Sequence, residues 1–194
     1  MPLIGLRDAC KGTVRFCVSS GFVLACGLLP LAGATLEQLS LDDMIQKSTS
    51  IVRGTVTVSR VDASGPIIYT HYTIRVTENF KGNSQGAVDV AVPGGTANNL
   101  RQIFAGTPQF KIGDDYVFFL WTGRSGLTQI MGLTQGLFAL SQGSAANPTA
   151  TRPASREVML EKGTGREVKD QTIVMTLADL RARIAAALNG GAKQ

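Results

Sequence analysis

The chain of 194 residues carries 19 basic and 14 acidic side chains, one histidine and three cysteines, for a formal net charge of +5. The cysteines, Cys10, Cys17 and Cys26, all fall near the N-terminus, so the rest of the chain has no thiolate nucleophile, no cysteine metal ligand and no disulfide framework. A charge this close to balance is a solubility property and does not mark a nucleic-acid binder.

Residues 1–15 are net positive, through Arg7, Lys11 and Arg15 against Asp8. Residues 16–31 are uncharged and mostly apolar, and Ala32-Gly33-Ala34 is a small-x-small triplet. This order describes a secretory signal peptide over residues 1–34, cut after Ala34. Pro30 breaks a helix just before the triplet and helps present an extended segment to a peptidase. Two alternatives stay open: an uncleaved membrane anchor over residues 16–34, and a lipoprotein cut before Cys26. In the main reading the protein is exported, periplasmic or secreted, and meets a membrane only through the signal segment. Residues 35–194 then form a single domain of net charge +3, large enough to be held by its apolar core.

Residues 36–49 predict a short helix with Leu36, Leu39 and Met44 on a broken apolar stripe, and Ser40 capping a turn that starts near Leu41. A strand is expected over 51–61, with Val52, Val56 and Val58 on one face and Arg53, Thr55, Thr57 and Ser59 on the other. After the Asp62–Pro66 turn, a second strand over 67–78 places Ile68, Tyr72, Ile74 and Val76 inward and Tyr69, His71, Thr73, Arg75 and Thr77 outward. Gly82 suits the closing turn, a third strand spans 87–92, and Pro93-Gly94-Gly95 stops it. Three short strands with tight turns argue for an antiparallel meander.

Residues 94–114 read as loop, with a helical turn at Leu100–Phe104. Residues 116–121 are apolar at every position, which predicts a strand covered on both faces. Shorter strands follow near 127–131 and 136–141, and residues 143–155 read as an exposed loop. Strand-like pieces recur at 156–162 and 171–175. A C-terminal amphipathic helix is expected within 176–189, with Leu177, Leu180, Ile184 and Leu188 in one stripe and Thr176 with Asp179 as a capping box.

The succession of the short helix, IVRGTV, YTHYTIRVTENFKGN, VDVAVPGG and FKIGDDYVFFL, within residues 36–140, resembles an uncharacterised family of bacterial exported proteins. More distantly it resembles the netrin-like domain, the OB-fold barrel of tissue inhibitors of metalloproteases. The likeness implies a mainly β fold, a small antiparallel OB-like β-barrel with a short N-terminal helix and a C-terminal one. Those inhibitors place a free N-terminal cysteine on the protease zinc. Past residue 34 this chain has no cysteine, so only the architecture carries over.

The catalytic inventory is empty. His71 is the single histidine and reads as a solvated residue on a polar strand face, and no G-x-S-x-G accompanies it. Asp42-Asp43 and Asp114-Asp115 are the only acidic pairs and fit a helix start and a turn, so no metal site and no cofactor are expected. Pro93-Gly94-Gly95 lacks the lysine of a phosphate loop. The polar face of the first two strands remains, where Arg53, Tyr69, His71 and Arg75 pair cations with an aromatic, as ligand-binding barrel faces do. The bland alternative is a solvated face of β-favouring residues. The expectation is therefore a non-enzymatic binding module of the cell envelope or exterior. Its partner is unknown, with an envelope protein, peptide or glycan favoured over nucleic acid. The alternative is a secreted protease inhibitor acting through loops.

Overall fold

The computed structural model describes residues 34–141 and 147–191. The signal segment, with its alternatives at 16–34 and Cys26, lies outside these residues apart from Ala34. In chain order the elements are β1 (Thr35–Glu37), α1 (Leu41–Lys47), β2 (Ser50–Asp62), β3 (Tyr69–Lys81), β4 (Ala87–Pro93), β5 (Gly95–Ala97), β6 (Leu100–Gln102), β7 (Asp115–Thr122), β8 (Thr128–Ile130), β9 (Leu137–Leu140), β10 (Thr149–Arg152), β11 (Val158–Leu160), β12 (Glu167–Val168), β13 (Ile173–Thr176) and α2 (Leu177–Gly191). The fold is mainly β.

The main sheet runs β13-β10-β9-β7-β2-β3-β4, with β8 also on β7. Every pairing in it is antiparallel. The β2-β3-β4 meander matches the sequence expectation. On the edge of β7 away from β2, β9 pairs with Tyr116–Phe118 and β8 with Leu120–Thr122. The sheet curls until β4 comes within 8 Å of β8 between Cα atoms, but no ladder joins them and no sheet closes into a barrel. A small sheet β1-β11-β12 and a β5–β6 hairpin complete the strands.

Successive side chains of β7 feed two cores, as its unbroken apolar sequence predicts. Val117 and Phe119 pack with Met44, Ile45 of α1 and Leu180, Ile184 of α2. Phe118 and Leu120 pack with Val56, Ile74, Val90 and Ile130 inside the curl. Both helices lie against the first core and are capped as their sequences require. The Ser40 hydroxyl accepts from the Asp43 N–H (3.0 Å), and the Thr176 hydroxyl accepts from the Asp179 N–H (3.0 Å). At the other end of α1, Lys81 Nζ donates to the carbonyls of Ile45 (2.7 Å) and Gln46 (2.8 Å). Burial of Lys81 lowers its pKa.

Three expectations are corrected. The predicted helical turn at Leu100–Phe104 is instead strand β6, because Asn98 (φ 50°) and Asn99 (φ 60°) form a two-residue hairpin turn back to β5. The predicted exposed loop at 143–155 contains β10, which sits inside the sheet between β9 and β13. Its TATR sequence hides this, because only Ala150 and Arg152 are buried and neither reads as a core residue. Arg152 is held by Asp170 (2.8 Å) and the Gln171 carbonyl (2.8 Å). The third correction concerns the faces of β2, which set the candidate site.

Candidate functional site

Strand β2 is not regular. Its register against β3 shifts at Ile51/Val52, Arg53/Gly54 and Val56/Val58. Gly54 marks one shift, and a Cβ there would stand 2.6 Å from the Arg75 carbonyl oxygen, so the close approach demands glycine. The shift after Val56 exchanges the faces of the strand. Thr55 lies opposite Arg75, but beyond the bulge Val58 faces Thr73, Arg60 faces His71 and Asp62 faces Tyr69. Val58, expected inward with Val52 and Val56, is therefore 49% exposed.

The outcome is one continuous polar strip across β2, β3 and β4. At one end it runs under the helices, where Arg181 of α2 holds Glu78 of β3 through two hydrogen bonds of 2.7 and 3.0 Å. From there it runs on beyond the helices. Arg53 is bound side-on to Asp115 of β7 at 3.1 and 2.6 Å, so its charge is neutralised. Arg75 is exposed and has no ion-pair partner among the described residues. Tyr69 meets His71 edge-on, with ring centroids 6.4 Å apart.

His71 is not the solvated residue its position suggests. It is buried (8% exposed), and its Nδ1 lies 2.6 Å from Asp89 Oδ2 of β4. Arg60 Nη2 lies 3.2 Å from the same oxygen and 3.2 Å from Nδ1. Nδ1 cannot donate to Asp89 and accept from Arg60 at once. The shorter, charge-assisted contact decides, so Nδ1–H donates to the carboxylate and the arginine donates to that oxygen as well. In the neutral ring this leaves Nε2 as an acceptor. It has no hydrogen-bond partner among the described residues, and His71 lines a groove of about 540 Å³ with Ala87–Asp89 and Ser125–Thr128.

Of the four residues picked from sequence, Tyr69 and His71 are in contact. Arg75 stands four residues from His71 on the same face, roughly 13 Å along the strand. Arg53 is set apart by its pairing with Asp115. Arg60 and Asp89 were missed. The bulge conceals Arg60, and Asp89 sits within AVDVAV, where one acidic residue on a β-rich segment reads as solvation. An Asp–His pair is part of a hydrolase relay, but among the described residues no hydroxyl hydrogen-bonds to Nε2.

The acidic pairs are structural. Asp42 binds Arg183 and Asp43 binds Lys162, whose hydrogen bond and that of Ser40 hold the Asp43 carboxyl below its usual range. Asp115 binds Arg53, and Asp114 accepts from the Lys111 N–H and the Tyr116 hydroxyl. Burial, reinforced by the Asp114 charge and hydrogen bond, pushes the Tyr116 phenol up to about 12. Among the described residues no three His, Cys, Asp or Glu side chains converge to hold a metal, and no helix is long and apolar enough to cross a membrane. No protein-family model matches the chain and no curated protein is significantly similar to it.

Proposed function

We propose that this protein is an exported, non-enzymatic binding module of the cell envelope or exterior, and that its β4-β3-β2-β7-β8 portion is an OB-like half-barrel that presents the polar strip to a ligand. The observation that carries this is the end of the strip beyond the helices. Arg53, Arg60 and Glu78 on it are ion-paired, whereas Arg75 is exposed and unpaired among the described residues, about 13 Å along the strand from the buried His71. An exposed, unpaired cation on a polar strand face suits an envelope glycan or peptide that carries a carboxylate.

The test is a titration of the full-length chain with soluble peptidoglycan fragments and with acidic oligosaccharides. Arg75→Glu is expected to weaken binding by about tenfold or more, a loss of roughly 1.4 kcal/mol, with melting unchanged. No binding to either class, or equal binding by the variant, contradicts the reading. Mass analysis of the N-terminus of the exported protein tests the signal: a start at Thr35 supports cleavage after Ala34.

A loop-acting protease inhibitor is the second reading. It is favoured by the exposure of Leu100 (55%), Ile103 (73%) and Ile112 (70%) on the β6 hairpin and the loop that follows. It predicts inhibition of at least one protease of a broad panel, lost when residues 94–110 are shortened.

A further inference from the structure

Strand β4 has a partner on one side only. Between β3 and β4, Gly94 N–H donates to the Ile68 carbonyl (2.8 Å) and Val76 N–H donates to the Gly86 carbonyl (2.9 Å). Counting inward along the register, Val88, Val90 and Val92 are the residues that bond to β3. Asp89 and Ala91 therefore turn their N–H and C=O groups to the opposite edge. That edge faces β8, within 8 Å between Cα atoms. The same count on β8 uses Gly123 N–H to Leu127 O (3.0 Å) and Met131 N–H to Phe119 O (2.9 Å). It pairs Gln129 with β7 and turns Thr128 and Ile130 toward β4.

Two edges thus confront each other without a hydrogen bond between them among the described residues. Ala91 is 2% exposed and Ile130 is 8% exposed, so their backbone groups are largely withdrawn from water as well, whereas Asp89 is exposed. A buried backbone N–H or C=O without a hydrogen bond is costly and calls for a partner.

Both ends of this seam open into grooves lined jointly by the two edges. One, of about 170 Å³, is apolar, formed by Ala91–Pro93, Trp121, Ile130, Met131 and Leu133, with no charged residue. The other is the polar groove of His71, Asp89 and Thr128. The distance from Ala87 to Pro93 along β4 is roughly 20 Å, the reach of about seven extended residues.

We propose that the β4–β8 seam accepts an extended peptide as an added strand. The peptide pairs with the outward N–H and C=O groups of Asp89 and Ala91, sets an apolar side chain beside Trp121 and Met131 at one end, and a polar side chain beside His71 at the other. Neighbouring strands lie about 4.8 Å apart, so β8 must swing clear of the seam to admit it, and the peptide then pairs with the β4 edge alone. It is three residues long and hangs on a hairpin turning at Gly126 (φ 82°). The proposal rests on the reading of the protein as a binding module but uses the β4 edge and not Arg75, so the two fail separately.

The experiment pans a displayed heptapeptide library on the full-length chain and resynthesises an enriched peptide. Pairing to one edge predicts a period of two. N-methylation at alternate amides is expected to abolish binding in one phase and to leave it within about twofold in the other. Ala91→Pro removes an N–H that β3 does not use, so the ladder to β3 survives while peptide affinity falls by about tenfold or more. Arg75→Glu is expected to leave peptide affinity unchanged. Failure to enrich any peptide, equal effects of both methylation phases, or full affinity in a folded Ala91→Pro variant overturns the proposal. If Ala91→Pro does not fold, the two methylation phases decide.

Discussion

Strands β7 and β4 belong to the same sheet and have similar lengths, eight and seven residues. Yet β7 is buried on both faces from Val117 to Leu120 and paired along both edges, whereas β4 is half-buried with one edge unpaired. In β7, Val117, Phe118, Phe119 and Leu120 are all fully buried, two toward the helices and two into the curl. In β4 only Val90, Ala91 and Val92 are buried, and Asp89 is drawn into an ion pair on the strip. The difference separates two tasks. The β7 half carries the stability of the domain, and the β3–β4 half carries the groups that are free to meet something else.

That contrast is sharpest under substitution. Phe119→Ala removes a fully buried ring from the helix-covered core and is expected to cost about 3–5 kcal/mol, read as a shift of the denaturant midpoint. Asp170→Ala leaves the buried Arg152 guanidinium without its carboxylate and is expected to cost about 3 kcal/mol or more. Burial of Asp170 pushes its pKa up, but the Ser155 N–H and the hydrogen bond and charge of Arg152 outweigh it and hold the carboxyl below its usual value. A pKa depressed by folding contributes stability above the unfolded value, near 3.9. Denaturation at falling pH should therefore show a loss of stability below about pH 4 in the wild type that is smaller in Asp170→Asn.

Gly54→Ala is expected to cost roughly 1–3 kcal/mol, because the added methyl meets the Arg75 carbonyl. It should also disturb the register that carries Arg60 to His71, visible as a changed His71 ring signal by NMR. At the other extreme Arg75→Ala is expected to change stability by less than about 0.5 kcal/mol, since that side chain is exposed and unpaired among the described residues. A large loss there would mean that the open half also holds the fold together.

The legible parts of the sequence are those where side-chain pattern and burial agree. The apolar run of residues 116–121 announced a strand covered on both faces, which holds for Val117–Leu120 but not for the exposed Trp121, and the Ser40 and Thr176–Asp179 caps announced both helix starts. Strand β10 was illegible because its stability lies in pairing and in an Arg–Asp contact across 18 residues, not in apolar side chains. The site was half legible. Tyr69, His71 and Arg75 follow from alternation in β3, which is regular where they lie. Arg60 does not follow, because a bulge near Thr57 exchanges the faces of β2 and nothing in a run of Val, Thr and Ser marks it. The burial of His71 was hidden for a related reason. It depends on Asp89 of the neighbouring strand and on the β7–β8 hairpin, and the hairpin approaches only once the sheet has curled.

Residue-resolved amide hydrogen exchange on the full-length chain tests the contrast most directly. Amides of Phe118 and Phe119 should exchange only through global unfolding. Along β4, Val90 should be strongly protected, while Asp89 and Ala91 should exchange at least about a hundredfold faster. Uniform protection from Val88 to Val92, with matching protection at Thr128 and Ile130, would show the seam closed by a β4–β8 ladder and would contradict the account.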